Sequence, residues 1–299
     1  MKISLVTPCY NAAATIDETI RSVLGQEGVD FEYAIMDGGS TDGTVEIIKK
    51  YESRLAWWAS ARDRGQVDAL NKAFPRLTGD VLGFLNADDV LLPGALRTVH
   101  ETFAARPDVE LVQGGIEWMD FEGRPLGSHC GQIGSLGDIL DIHRVWWGGR
   151  QWVQPEVYFR RALKERVGPF DERYDLAFDF DFWVRCFRAG GRVASIETPL
   201  VRFRRHAGQK SVSCERANDE IRAIVRAHLD DRPEIGAWTA FRLRAQLSYD
   251  LFQNGQPAGG APRPAFAAAL LRHPEWLLCR EVRARLSGSL RHRTTPAQP

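Results

Sequence analysis

Residues 81–89, Val81-Leu82-Gly83-Phe84-Leu85-Asn86-Ala87-Asp88-Asp89, carry an apolar run straight into an amide, a small residue and two adjacent carboxylates. A buried strand needs only apolar side chains and a turn. Two acidic groups at its carboxyl end therefore read as the edge of a site, where a hard cation with oxygen ligands would be at home. The simpler reading is a helix cap, because Pro93 stands where the first turn of a helix over 93–105 begins.

The flanking sequence bears on that choice. Ile3-Ser4-Leu5-Val6 predicts a strand, and Thr15 predicts a helix start, with Glu18 completing a capping box and Ile16, Ile20, Val23 and Leu24 sharing one face. A second strand over 31–36 leads to a helix over 44–51. A third near 55–59 leads through a polar stretch to a helix carrying Val67, Leu70 and Phe74. After the quoted strand, the helix over 93–105 aligns Leu96, Val99 and Phe103. Four strand–helix alternations with short connections predict an α/β class: a mostly parallel central sheet flanked by helices. Ligands of such sheets bind beyond the carboxyl ends of the strands. Polar clusters at 7–11, 37–42, 63–68 and 86–89 each fall at such an end, so four loops are expected to meet at one cleft.

Beyond residue 109 the pattern changes. A strand over 109–114, a hairpin turn at 120–124, a segment with Trp146, Trp147 and Trp152, a helix over 177–189 and strands at 193–196 and 200–204 are expected to cover the cleft. Residues 215–252 have helical periodicity, 256–264 read as a Gly/Pro linker, and 265–286 as a last helical piece.

Composition limits the function classes. Among 299 residues, 39 Lys and Arg balance 39 Asp and Glu, so no global field points to a nucleic-acid partner. The five cysteines, at 9, 130, 186, 214 and 279, form no Cys-x-x-Cys pair, which argues against a zinc site or a disulfide framework and fits a reducing compartment. The chain reads directly into a strand with no basic-then-apolar leader, and it has no run of about 18 apolar residues. A cytoplasmic location is expected. From Arg263 onward seven arginines face only Glu275 and Glu281. Their mixture with Phe266, Leu270, Leu271, Trp276, Leu277 and Leu278 suits either an interfacial helix on the inner face of the plasma membrane or a docking helix with a solvated basic face.

Asp37-Gly38-Gly39-Ser40-Thr41-Asp42-Gly43 is neither a Gly-x-Gly-x-x-Gly turn nor a phosphate loop ending in Gly-Lys-Ser/Thr. It offers carboxylates instead, and Asp37 reads either as an acceptor for a base N–H or as an ordinary turn aspartate.

Four blocks together resemble family two glycosyltransferases, in order and in spacing. They are Thr7-Pro8-Cys9-Tyr10-Asn11, Met36-Asp37-Gly38-Gly39-Ser40-Thr41-Asp42-Gly43-Thr44, Asp63-Arg64-Gly65-Gln66-Val67-Asp68-Ala69-Leu70-Asn71-Lys72 and Phe84-Leu85-Asn86-Ala87-Asp88-Asp89. The resemblance covers about residues 2–210. It implies the GT-A fold (Rossmann-like, nucleotide-diphospho-sugar transferase), a nucleotide-diphosphate-sugar donor with a UDP-sugar favoured, a divalent cation (Mn²⁺ or Mg²⁺) and inversion at the anomeric carbon. The implied domains are 1–212, with a nucleotide-sugar half (1–108) and an acceptor half (109–212), and a helical C-terminal extension over 213–299.

By that resemblance Asp89 binds the cation and Asp88 holds the ribose or donor sugar. Asn86 replaces the first aspartate of the usual Asp-x-Asp. Asp37 reads the base, and Thr7, Pro8, Tyr10 and Asn11 pack along the nucleoside. Asp63 and Asn71 lie on the donor side, where Asp68 is either a contact or a cap. The late Arg204-Arg205-His206 segment returns to the diphosphate, with His206 as ligand or phosphate contact and Arg205 or Lys210 neutralising charge. Gln154-Pro155 matches a block that lines the acceptor side.

An inverting transfer needs a base for the acceptor hydroxyl. Asp179 and Asp181 are the candidates, and on a helix they stand about 200° apart, so only one faces the acceptor. The resemblance selects Asp179, although Phe178 stands where many relatives carry Glu. The competing reading caps the helix with Asp179 and pairs Asp181 with Arg185. The acceptor is expected to be a sugar or lipid-linked sugar, in cell-surface polysaccharide or glycoconjugate synthesis. The alternatives are a non-catalytic sugar-nucleotide-binding module, a sugar nucleotidyltransferase, and a membrane-embedded processive synthase, the last disfavoured by the lack of spans and of a Gln-x-x-Arg-Trp block.

Overall fold

The first apolar run becomes β1 (Ile3–Cys9), buried along its whole length. A computed structural model describes residues 1–210, 214–230, 234–256 and 263–287. After β1 come α1 (Ile16–Leu24), β2 (Phe31–Asp37), α2 (Thr44–Lys49), β3 (Trp57–Ser60), α3 (Gln66–Ala73) and β4 (Val81–Phe84). These four strands pair in parallel in the order β3-β2-β1-β4. The strand order reverses at β1, which lies between β2 and β4, and this reversal opens a crevice at their carboxyl ends.

The second half begins with β5 (Val90–Leu91), α4 (Ala95–Ala105), β6 (Leu111–Met119), β7 (Pro125–Cys130) and α5 (Leu136–Leu140). It continues through β8 (Val157–Arg160), α6 (Arg161–Val167), α7 (Phe178–Arg188) and β9 (Val193–Arg204). One sheet of nine strands results, in the order β3-β2-β1-β4-β8-β6-β9-β5, with β7 paired to β6. The sheet is mixed. Its first half is all parallel, whereas β8 runs antiparallel to β4 and β6, and β5 antiparallel to β9.

Two local expectations change. The helix over 93–105 starts later, at Ala95, because Val90 and Leu91 first pair with Arg202 and Val201. A two-residue strand is too short to have a period. The strands at 193–196 and 200–204 are one strand, β9, whose register on β6 shifts beside Gly114 and Gly115 where Pro199 interrupts the pattern.

The core lies on both faces of the sheet. Ile16, Ile20 and Val23 of α1 and Leu96, Val99 and Phe103 of α4 pack with Ile3, Leu5 and Ile35 in one cluster. Elsewhere Phe84 of β4 and Phe170 meet Phe178, and Phe159 of β8 and Phe170 meet Phe182 of α7, with ring centroids 4.7–6.0 Å apart. Burying each such ring contributes about 1.5–3 kcal/mol, so α7 is docked onto β4 and β8 by its own phenylalanines. Trp152 belongs to this packing as well: it is buried against Trp183 and Phe187.

The chain divides into two compact units, residues 1–221 and 222–299. The first holds the sheet and the start of α8 (Cys214–Asp230). The second holds the rest of α8, then α9 (Ala237–Asn254), α10 (Arg263–Arg272) and α11 (Arg280–Leu286). Its core joins Tyr249, Phe266, Trp276, Cys279 and Val282. Most of the expected linker, residues 257–262, lies outside the described residues, as do Ser211, Arg291 and Arg293. No described helix is long and apolar enough to cross a membrane.

Gly83 of β4 faces Tyr158 so closely that an added Cβ would stand 2.7 Å from its ring. Gly83→Val is therefore expected to cost about 1–3 kcal/mol by overpacking. Urea denaturation measures this, and an unchanged midpoint would contradict the packing described.

Candidate functional site

The loop after β4 is held from α1. The Thr15 hydroxyl donates to the Ala87 carbonyl at 2.8 Å, and the Thr19 hydroxyl lies 3.0 Å from the same oxygen and 2.8 Å from that of Asp89. This overturns the expected capping box. Thr15 does occupy the N-cap position but makes no cap hydrogen bond, since its hydroxyl is spent on the loop. Glu18 is spent too, on Arg204.

Pairing of β5 with the end of β9 brings residues 204–206 to this loop. Arg204, 3% exposed, is its hub. The guanidinium donates from Nε to the Asp88 carbonyl at 2.9 Å, from Nη1 to the Phe121 carbonyl at 2.5 Å and from Nη2 to Glu18 at 2.5 Å. Its backbone N–H donates to Asp89 Oδ1 at 3.0 Å. Asn86 Nδ2 donates to the other oxygen of Asp89 at 3.1 Å, and Gln66 Nε2 donates to Asn86 Oδ1 at 2.8 Å. Both Asp89 oxygens are thus engaged, and the residue is 1% exposed. Burial, with the adjacent Asp88 charge, pushes its carboxyl well above the usual range.

Of the expected cation ligands, Asp89 is buried and His206 meets the neighbouring Asp88. His206 Nε2 lies 3.0 Å from Asp88 Oδ2, and these two side chains are 24% and 28% exposed. Beside them the Phe121 ring meets the imidazole edge-on, with centroids 5.8 Å apart. Among the described residues no group of three or more His, Cys, Asp or Glu side chains is placed to hold a metal by itself. Asp88 and His206 would nevertheless hold a divalent cation of the Mn²⁺ kind better than the harder Mg²⁺, which takes oxygen ligands.

Several expected donor contacts lie elsewhere. Thr7 points into the core and its hydroxyl accepts from Tyr33 at 2.8 Å, while Pro8 is buried within β1. Asn71 locks α3 to Phe170: its amide donates to the Phe170 carbonyl and accepts from the Phe170 N–H, both at 2.9 Å. Arg205, just past the end of β9, lies over the Trp118 ring at 5.6 Å. Asp68, 4% exposed, is spent on Lys72 at 2.6 Å and Arg64 at 3.0 Å.

Asp37 is fully buried. It accepts from the hydroxyls of Ser40 (2.5 Å) and Ser60 (2.6 Å) and from the N–H groups of Gly39 and Ser40. Burial alone would raise its carboxyl, but these donors hold it below the usual range. Its side chain therefore builds the loop. Exposed at the same strand ends are Tyr10, at 65%, and Asn11, whose φ of 48° and contact with the Thr41 N–H fix the turn. Asp63 accepts from the Gly65 N–H at 2.9 Å and borders Gly38.

On the acceptor side the two candidate carboxylates separate as helix geometry requires. Asp181 is buried and pairs with Arg185 at 2.7 Å. Asp179, half-buried in the first turn of α7, accepts from the Phe180 N–H at 2.7 Å. Burial pushes its carboxyl up to about 7, against the pull of that N–H and of Lys210. Phe178 packs on Phe84 at 6.0 Å and so anchors the helix beneath the loop after β4. Gln154 lies there also, donating to the Phe84 carbonyl at 2.7 Å. The role of Arg204 was not legible beside Arg205: only Arg204 is buried at the end of β9.

The sequence profile of Glycosyl transferase family 2 matches residues 4–131. The PGL/p-HBAD biosynthesis glycosyltransferase of Mycobacterium bovis is 30% identical over 188 residues, which cover 62% of this chain and 69% of that one. Among solved structures, S. aureus TarS 1-349 in complex with UDP-GlcNAc aligns with a TM-score of 0.65 and 19% identity over 84% of this chain and 73% of that one; the chain spans 44% of a longer TarS chain. Mannosyltransferase PcManGT from Pyrobaculum calidifontis, in complex with GDP-Man and Mn²⁺, aligns with a TM-score of 0.51 and 20% identity over 98% of this chain and 76% of that one. With the α/β sheet and the strand-end loops described above, these similarities establish that the chain is a glycosyltransferase of the GT-A fold and belongs to glycosyl transferase family 2.

Proposed function

We propose that the chain moves a sugar from a nucleotide-diphosphate donor to an acceptor hydroxyl with inversion, with Asp179 as base and with Asp88 and His206 holding a divalent cation. The observation that carries this reading is the 3.0 Å contact between Asp88 and His206, 118 residues apart, at the crevice between β1 and β4. It exchanges the roles first expected of the acidic pair. Asp88 takes the cation, and the buried Asp89 positions the loop. Once bound, the cation supplies neutralisation of the charge that builds on the departing diphosphate. The GDP-Man and Mn²⁺ bound to the mannosyltransferase neighbour support a nucleotide-sugar donor with such a cation. The UDP-GlcNAc bound to TarS favours a UDP-sugar.

Inversion follows from a single displacement. The acceptor oxygen forms a bond to the anomeric carbon as the bond to the diphosphate breaks, so one base is enough. Asp179 is suited to that task because its proton affinity sits near neutrality, which allows it to be ionised yet still take a proton. Tyr10 and Asn11 border the nucleoside, and Asp63 the same loop cluster. The name of the mycobacterial relative supports an acceptor in glycoconjugate or cell-surface polysaccharide synthesis. The exposed Leu271, Leu277 and Leu286, interspersed with arginines, favour contact with an anionic lipid surface on the cytoplasmic side.

In thermal shift with Mn²⁺, a panel of UDP-, GDP- and dTDP-sugars is expected to show its largest stabilisation with a UDP-sugar. By calorimetry, Asp88→Ala and His206→Ala should each remove Mn²⁺-dependent nucleotide binding. Undiminished binding in either would remove that residue as a ligand. Transfer should rise with pH as Asp179 loses its proton, reach half its plateau near pH 7 and stay level above it. Asp179→Asn should lower turnover by about 10²–10⁴-fold and leave donor binding intact. Unchanged turnover would exclude Asp179, a chain that binds donor without transfer would be a binding module, and pyrophosphate release from a nucleoside triphosphate plus sugar phosphate would mark a nucleotidyltransferase. Co-sedimentation with anionic liposomes should fall at high salt, and its absence at low salt would exclude the lipid contact.

A further inference from the structure

Helix α7 carries Asp179 in its first turn but begins without a cap of its own. Ala177 stands at the N-cap, and its side chain has no oxygen to offer the free N–H groups there. The carboxylate that meets this end comes from another helix. Glu220 of α8, whose side chain is 14% exposed, accepts from the N–H of Leu176 at 2.8 Å and from the N–H of Ala177 at 2.9 Å. Charge-assisted bonds of this kind are stronger than neutral ones, and a negative charge at a helix N-terminus is favoured by the helix dipole.

The same turn of chain is tied at further points. Lys210 donates to the Asp175 carbonyl at 2.9 Å and to its carboxylate at 2.5 Å, so the loop that follows His206 grips the residue two positions before Ala177. Arg216 reaches both Asp175 (3.5 Å) and Glu220 (3.6 Å). Trp147 Nε1 donates to Asn218 at 2.9 Å, which fixes the face of α8 that presents Glu220. All of these residues belong to the first compact unit, and α8 lies beyond the 4–131 segment matched by the family profile.

We infer that Glu220 is a positioning residue for Asp179: by binding the N–H groups of Leu176 and Ala177 it fixes the start of α7 and hence the carboxylate two residues on. This rests on the reading of Asp179 as the base. A misplacement of about 1 Å at a reacting group lowers the rate by about 10²-fold, so the contact matters without touching the substrate. The charged groups facing Asp179 are Glu220 from α8 and Lys210 from the loop after β9.

The test uses the full chain with Mn²⁺ and whichever of UDP-GlcNAc, UDP-glucose and GDP-mannose is turned over fastest, read as nucleotide release. Glu220→Ala is expected to lower kcat by about 10- to 100-fold with the KM for the nucleotide sugar changed by less than about twofold. Glu220→Gln keeps an oxygen for both N–H groups and is expected to restore kcat to within about threefold of wild type. It should also move the acid limb of kcat to lower pH, because one negative charge facing Asp179 is gone. Wild-type kcat in Glu220→Ala, or no recovery in a folded Glu220→Gln, would overturn the inference. If Glu220→Ala does not fold, Glu220→Asp decides, because its shorter carboxylate cannot reach both N–H groups: a kcat lowered about 10-fold with KM unchanged supports the inference and a wild-type kcat overturns it. Asp179→Asn separates the two levels. Full turnover in that variant overturns the base and this inference together, whereas an inactive Asp179→Asn beside a wild-type Glu220→Ala overturns Glu220 alone.

Discussion

One buried guanidinium holds the site together. Arg204 lies at the end of β9 and binds the loop after β4 through the Asp88 carbonyl and, by its own N–H, through the Asp89 carboxylate. It binds α1 through Glu18 and the tip of the β6–β7 hairpin through Phe121. A planar fork of five donors can serve several acceptors in fixed directions, which an ammonium cannot. The loop that carries Asp88, helix α1 and the hairpin tip at Phe121 are therefore referred to one side chain. Thr15, at the N-cap of α1, and Thr19 within it complete the frame by binding the carbonyls of the same loop.

The carboxylates around the crevice then divide by environment rather than by type. Asp37 is buried, yet N–H and hydroxyl donors keep it ionised, and it shapes a loop. Asp89 is buried beside another negative charge, which pushes its carboxyl well above the usual range. Asp179 is pushed up to about 7, into the range where a carboxylate can accept a proton during reaction. The opposite end of the sheet is different in kind. There Glu32 takes hydrogen bonds from Ser4, Lys2 and the chain at Thr78 and Gly79, and closes the amino ends of β1, β2 and β4.

Much of this was legible in the sequence, and for definite reasons. The alternation of strands and helices, the clusters at strand ends and the separation of Asp179 from Asp181 all follow from period and helix geometry, and the structure has them. What failed was whatever depends on partners far along the chain. Thr15 and Glu18 match a capping box, but tertiary acceptors outcompete the local ones. Asn71 looks available in a polar block, yet its amide is consumed by Phe170, 99 residues away. Arg204 closes β9 while Arg205 lies just beyond it, and the two-residue β5 that brings this end to the loop has no periodicity to read.

A crystal structure with Mn²⁺ and UDP bound tests the central claim most directly. The account predicts the cation on Asp88 and on His206 Nε2, with Asp89 still buried and still accepting from the Arg204 N–H. A cation coordinated by Asp89, with its bonds to Arg204 and Asn86 broken, would contradict it.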